Sequence, residues 1–243
     1  MSYILNKQNQ KIAYRKIIGN SPGIIFIHGY NSDMSGKKAL HIEKYAKKKK
    51  LSFLRFDCRG HGKSHGTIKD FVISDWKKDL LEVINKLTKG PQILVGSSMG
   101  GWLMLLAAKE KPSSIYGLIG LAAAPDFTRN LYKEIPKKNQ KEILTKEITK
   151  VRKWNFNYTF TKKLFSDGKK NFILGKKINI KKPIVLIHGL KDNTVSSEIP
   201  MKIQKKVTSR NVIIKYVKNG DHSLSKKKDL EIILNSLDEL IQN

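Results

Sequence analysis

The sequence is poor in cysteine, in acidic residues and in long apolar runs. A single cysteine, Cys58, excludes a disulfide within the chain and fits a reducing compartment, most simply the cytoplasm. No apolar run approaches the roughly 20 residues that cross a bilayer as a helix, so no transmembrane segment is expected. The opening residues, MSYILNKQNQKIAYRK, are too polar for a secretory signal peptide, and no targeting extension is read there. There is no H-E-x-x-H pair and no cysteine-rich spacing, so neither a metal site nor a cofactor is expected. Acidic residues number 20 against 48 lysines and arginines, a formal charge of +28. A clustered surplus of that size would suit a nucleic-acid or anionic-membrane surface. Only six of the basic residues are arginine, the usual base reader, and the lysines are scattered, with no run longer than Lys47 to Lys50. The surplus therefore reads as composition bearing on solubility, and no nucleic-acid partner is expected.

What is present is a core. The chain has 243 residues, 40% of them hydrophobic, enough for one domain or one domain with an insertion. YILNKQ and KIAYRKII read as an opening hairpin. GIIFIHG, LSFLRFDC, PQILVG, IYGLIGLAAA, PIVLIHGL and NVIIKYV read as short buried strands. Helical patterns separate several of them. One basic helix starts near Ser35, and another carries Trp76, Leu80, Ile84 and Leu87 with Ser74 as N-cap. GGWLMLLAAKE follows PQILVG, and a final helix carries Leu230, Ile233, Leu237 and Ile241. This alternation predicts an α/β fold, a mostly parallel twisted sheet with helices on both faces. Ligands of such sheets sit at the C-terminal strand ends.

The rhythm breaks between Asp126 and Lys182, where no strand of the main sheet is expected. NQKEILTKEITKV looks helical there, and Trp154, Phe156, Tyr158 and Phe160 alternate with polar residues. A segment this long is usually functional or a small subdomain. The division predicted is a core of residues 1–126 and 183–243 with an insertion, 127–182, over the strand ends. Flanked by basic residues, the aromatics could stack on bases, but packing of the insertion onto the core is the simpler reading.

Chemistry concentrates in VGSSMGG. A serine is an effective nucleophile when its Oγ is exposed near a base and near donors for an oxyanion. A sharp strand-to-helix turn exposes it and crowds the residues two before and two after. Ser98 has Gly96 and Gly100 at those places, whereas Ser97 has Val95 and Met99. The pattern G-x-S-x-G between strand and helix therefore selects Ser98. One oxyanion donor is expected from the N–H of Met99, the next residue, and the other from Tyr30 N–H, just past the strand end in FIHGYNS.

The base must follow the nucleophile in a triad ordered serine, acid, histidine. That leaves His188 and His222, and His222, in the turn VKNGDHSLS after the last strand, is the choice. His28 precedes the serine and is expected to shape its loop. For the acid, Asp192 in HGLKDNTV lies past a strand end, with Asp126 as the second candidate. Asp221 reads as a turn residue, and Asp57 as a brace for the DCRGHGKSHG loop. GKS at Gly62 to Ser64 is no P-loop, because the glycine required five residues earlier is Asp57.

FIHGY, FDCRGHGKS, VGSSMGGW, HGLKDNTV and GDHSLS, in that order across nearly the whole chain, resemble the α/β-hydrolase serine hydrolases. GPQILVGSSMGGWLMLLAA and PGIIFIHGYNSDMSGKKAL are similar to the subgroup of palmitoyl-protein thioesterases that also hydrolyse acyl glucuronides, and to its bacterial relatives. The resemblance implies an α/β-hydrolase fold, a Ser98–Asp192–His222 triad, oxyanion donors at Tyr30 and Met99, and a helical lid between Asp126 and Lys182. It also implies acyl ester or thioester substrates, acylated proteins among them. Leu131, Tyr132, Ile135, Trp154, Phe156, Tyr158 and Phe160 are expected to line an acyl slot in that lid. A C–C-bond hydrolase or peptidase on the same fold is the alternative, ahead of a non-catalytic lipid- or nucleic-acid-binding protein.

Overall fold

The computed structural model describes residues 1–153 and 156–242. Eight strands form the main sheet: β1 (Ser2–Leu5), β2 (Lys11–Ile17), β3 (Asn20–Ile27), β4 (Leu51–Phe56), β5 (Gln92–Ser97), β6 (Ile115–Leu121), β9 (Ile184–Gly189) and β10 (Val212–Val217). Their order is β1-β2-β4-β3-β5-β6-β9-β10. The pairs β1–β2 and β2–β4 are antiparallel and all the others parallel. Parallel neighbours need a crossover. It is supplied by α1 (Lys37–Lys48), α2 (Ile73–Leu87), α3 (Met99–Glu110) and α7 (Ile199–Lys206), and α8 (Lys227–Gln242) closes the chain.

Side-chain alternation along the strands builds two cores. Ile25 and Ile27 of β3 and Leu94 of β5 face α2 and α3, where Trp76, Leu80, Trp102 and Leu103 are buried. Ile24 and Phe26, with Ile93 and Val95, face α1 and α8, where Ala39, Ile42, Ile233 and Leu237 are buried. Strands buried on both sides must be apolar throughout, which is why these segments are continuous runs in the sequence. Each fully buried large side chain contributes roughly 1.5–3 kcal/mol of hydrophobic stabilisation.

Between β6 and β9 the chain leaves the main sheet. It forms α4 (Thr128–Glu134), α5 (Lys137–Lys146), a two-stranded antiparallel ladder of β7 (Ile148–Lys153) and β8 (Phe156–Thr161), and α6 (Lys162–Lys170). The insertion is thus helical in part only. NQKEILTKEITKV is helical as far as Lys146; Glu147 then takes φ 61°, ending the helix, and Thr149 and Val151 turn inward while Lys150 and Arg152 face solvent. That period-two pattern, short and rich in β-branched residues, is a strand signal.

One further expectation is corrected. Ser74 lies inside the first turn of α2, and the extended residue before the helix is Val72. The Ser74 N–H and Oγ instead bind the Asp167 carboxylate of α6, at 2.9 and 2.7 Å. An acid held against a helix N-terminus is favourable, and here it docks the insertion from 93 residues away. The short helix α7, which begins at Ile199 with Pro200 in its first turn and carries Lys202, Lys205 and Lys206, was not foreseen.

Candidate active site

β5 runs straight into α3 through Ser98, whose backbone sits at φ 51°, ψ −117°. Holding a serine there costs on the order of 1–3 kcal/mol, and surrounding hydrogen bonds secure it. Ser98 N–H donates to the Leu121 carbonyl at 2.9 Å, and the Ser98 carbonyl accepts from Gly101 N–H at 2.9 Å and Ala124 N–H at 3.0 Å. A Cβ on Gly96 would lie 2.4 Å from the Gly100 carbonyl oxygen, and one on Gly100 would lie 2.2 Å from that of Ile27. Any side chain at either place displaces backbone. Ser97 stays buried as the last residue of β5, and Ser98 emerges half-buried at the turn.

Two loops at the C-terminal strand ends converge on it. His222, between β10 and α8, places Nε2 at 3.1 Å from Ser98 Oγ. Its Nδ1 is 2.7 Å from Asp192 Oδ2, in the loop after β9. The other Asp192 oxygen accepts from Thr194 N–H at 2.8 Å and Val195 N–H at 2.9 Å. Burial pushes this carboxyl up, but the hydrogen bonds from His222, Val195 and Thr194 outweigh it, and the group is held below the usual aspartate range. Asp192 is therefore a fixed anion behind the imidazole. Asp126 does not meet His222: its oxygens accept from Ile173 and Leu174 N–H at 2.8 and 3.0 Å, tying the returning end of the insertion to the end of β6. Asp221 accepts from Leu224 N–H at 3.1 Å within its own turn. Lys38 of α1 donates to the Ser223 carbonyl, bracing the histidine loop. Burial lowers its ammonium to about 8, against the pull of Asp221, Asp229 and Asp192.

The loop after β3 lies against the serine: a Cβ on Gly29 would stand 3.3 Å from Ser98 Cβ. Among the described residues, neither Tyr30 N–H nor Met99 N–H donates to a protein acceptor. Two buried histidines support this loop. His28 Nε2 accepts from Cys58 N–H at 3.0 Å, and its Nδ1 pairs with the Gly29 carbonyl at 2.8 Å. His61 Nε2 accepts from Asn31 N–H at 3.2 Å. Asp57 braces the neighbouring loop, its carboxylate accepting from Met34 N–H at 2.7 Å and Lys63 N–H at 2.9 Å.

Burial, reinforced by His28, pulls the His61 imidazole down to about 3. An unfolded chain, with an ordinary histidine near 6.5, takes up that proton first. The stability from burying neutral His61 is therefore complete above pH 6.5 and is lost as pH falls from there towards 3, at up to about 1.4 kcal/mol per pH unit. Urea unfolding between pH 6.5 and 4 should show a shallower pH slope for His61→Gln than for the unsubstituted protein. Equal slopes would contradict a neutral buried His61.

A cavity of about 690 Å³ opens on Ser98 and His222, within the usual range for ligand pockets. Of the expected slot residues, Leu131, Tyr158 and Phe160 line it. Tyr132 instead packs edge-on against Phe165 at 5.3 Å between centroids, and Ile135 is buried in the core. Trp154 lies outside the described residues, as does the side chain of Phe156. Phe127, Leu174, Val195 and Ile199 line the cavity and were not foreseen. Phe127 lies in the loop that leaves the C-terminal end of β6 (Ile115–Leu121), where ligands gather, so its position was a usable signal; Ile199, on the unrecognised α7, had none. Tyr158 and Phe160 stack on the Tyr30 ring at 6.3 and 5.9 Å. These two aromatics thus pack inward and form no open platform for bases.

The family described as "Serine aminopeptidase, S33" matches residues 21–171. The palmitoyl-protein thioesterase ABHD10, mitochondrial, of Bos taurus is 35% identical over 99% of this chain and 80% of its own length. The solved structure of alpha/beta hydrolase domain-containing protein 10 from mouse superposes with a TM-score of 0.92 at 34% identity, covering 99% of this chain and 98% of that one. A putative hydrolase from Agrobacterium vitis S4 gives a TM-score of 0.92 at 28% identity, covering 99% of this chain and 97% of its own. With a matching family over more than half its length and relatives this similar end to end, the chain belongs to the α/β-hydrolase serine hydrolases and is an enzyme that hydrolyses esters or thioesters.

Proposed function

We propose that this enzyme cleaves medium- or long-chain acyl thioesters or activated esters through an acyl-enzyme on Ser98. The observation that carries the reading is the hydrogen-bonded line from Ser98 Oγ through His222 to Asp192, opening on a cavity walled by Leu131, Phe127, Tyr158 and Phe160. Oγ attacks the acyl carbonyl while His222 Nε2 takes its proton. The oxyanion forms beside the Met99 and Tyr30 N–H groups, which among the described residues have no other protein acceptor to give up. As the tetrahedral species collapses, the C–S or C–O bond breaks and His222 returns the proton to the leaving group. Water, deprotonated by the same nitrogen, then attacks the acyl carbonyl, and a second collapse frees Ser98 and the acid. Asp192, held ionised, fixes the tautomer of His222 and stabilises its charged form. None of these steps needs a group other than the chain's own residues and water.

The insertion serves as the lid. Its apolar side chains meet the acyl chain, so affinity should grow with chain length. Each buried methylene is worth about 0.8 kcal/mol, and four further carbons should raise kcat/KM by roughly two orders of magnitude until the slot is full. A thiolate also leaves more readily than an alkoxide and asks less of His222 as acid. The test is a series of p-nitrophenyl esters and S-acyl thiols from about two to sixteen carbons, with peptide p-nitroanilides in the same assay. A steady decline from acetyl upward would leave a small-ester hydrolase, and faster turnover of the anilides would turn the reading to a peptidase.

A further inference from the structure

Tyr30 faces two ways. Its backbone N–H follows Gly29, which lies against Ser98, and has no protein acceptor among the described residues, whereas its phenol leaves the loop and donates to the Thr159 carbonyl on β8. Asn31 repeats the arrangement. Its Nδ2 donates to the Asn157 carbonyl on the same strand at 3.3 Å, and its backbone N–H donates to His61 Nε2 at 3.2 Å. Ring contacts add to this. The Tyr30 ring stacks on Tyr158 and Phe160 above and meets Trp76 edge-on at 5.7 Å below.

Among the described residues β8 has only β7 as a strand partner. The carbonyls of Asn157 and Thr159, two residues apart, point to the same side of an edge strand and need donors from elsewhere. Tyr30 and Asn31 supply them. The loop segment Tyr30–Asn31, whose first N–H is the proposed oxyanion donor, is therefore slung between the core histidine His61 and the lid. Asn31 takes φ 58°, the left-handed conformation in which an asparagine is tolerated where most residues are strained.

We propose that the Tyr30 hydroxyl and the Asn31 amide are positioning groups, hanging the oxyanion loop on strand β8 so that Tyr30 N–H is aimed at the reacting carbonyl while the lid is seated. The proposal rests on the reading of Ser98 and Tyr30 N–H given above. It couples two parts of the enzyme. A lid strand that also walls the acyl slot holds in place a donor that every substrate uses, whatever its chain length.

The test compares Tyr30→Phe, Asn31→Gly and the double variant on p-nitrophenyl acetate and on a dodecanoyl ester, with Ser98→Ala alongside. Phenylalanine keeps the ring contacts, and glycine accepts the positive φ, so both single variants are expected to fold. Each lost neutral hydrogen bond should lower kcat by about five-fold. The loss should be equal for acetyl and dodecanoyl esters, with KM nearly unchanged, and greater in the double variant. Acylation and deacylation both pass through an oxyanion, so kcat reports the donor whichever step limits. Unchanged kcat in both single variants overturns the proposal. So does a loss confined to the dodecanoyl ester and expressed in KM, which would make Tyr30 and Asn31 mere supports of the slot wall. Turnover surviving in Ser98→Ala would instead strike the underlying acyl-enzyme reading, whatever the Tyr30 variants do.

Discussion

Ser98→Ala is expected to lower ester turnover by on the order of 10⁴-fold or more, the scale of loss seen when other triad nucleophiles are removed. The substitution takes away the single atom that His222 Nε2 faces at 3.1 Å and leaves the elbow's backbone hydrogen bonds intact. An organophosphonate probe should label the unsubstituted enzyme at Ser98 and fail to label the variant. Intact-mass and peptide mapping check this directly. Labelling that persists at Ser97 would refute the assignment, and the geometry opposes it, because Ser97 is buried at the end of β5.

Asp192→Asn should cost on the order of 10³ to 10⁴ in turnover. An asparagine nearly preserves shape but removes the charge that stabilises protonated His222, and an amide NH₂ turned to Nδ1 imposes the wrong tautomer. The Thr194 and Val195 N–H groups, at 2.8 and 2.9 Å from Oδ1, hold the amide oxygen on their side and so direct that NH₂ towards the imidazole. Asp126→Asn is the informative partner. Its carboxylate binds Ile173 and Leu174 N–H, so its loss should loosen the insertion and act mainly on long-chain substrates. Kinetics of both variants on acetyl and dodecanoyl esters separate the two effects, and a larger loss of acetyl turnover in Asp126→Asn would reverse the assignment of the acid.

Much of the fold was legible because the strands of a two-sided parallel sheet are apolar without interruption. GIIFIHG and PIVLIHGL needed no partner to be read, and both lie in the sheet as β3 and β9. The elbow was legible for a local reason. The steric demand on Gly96 and Gly100 arises within a few residues of Ser98, so it is written at fixed spacing. The β7–β8 ladder was less clear. Its period-two signal spans six residues on each strand and follows directly on a helical one.

The sequence by itself determined the strands of the main sheet, the helices α1, α2, α3 and α8 and the choice of Ser98 over Ser97, though not α7 or β7, because periodicity and local steric fit act over distances shorter than a helix. Which acid faces His222 was left to the tertiary structure. Asp126 and Asp192 both follow strand ends, and only the packing of β9 against β10 brings the second within 2.7 Å of the imidazole. The docking of Asp167 on Ser74 and the suspension of Tyr30 and Asn31 from β8 likewise join residues 93 to 129 apart in the chain. Contacts at that range leave no periodic trace. They are fixed by where the insertion comes to rest on the sheet, and that is decided by the summed burial of its apolar side chains.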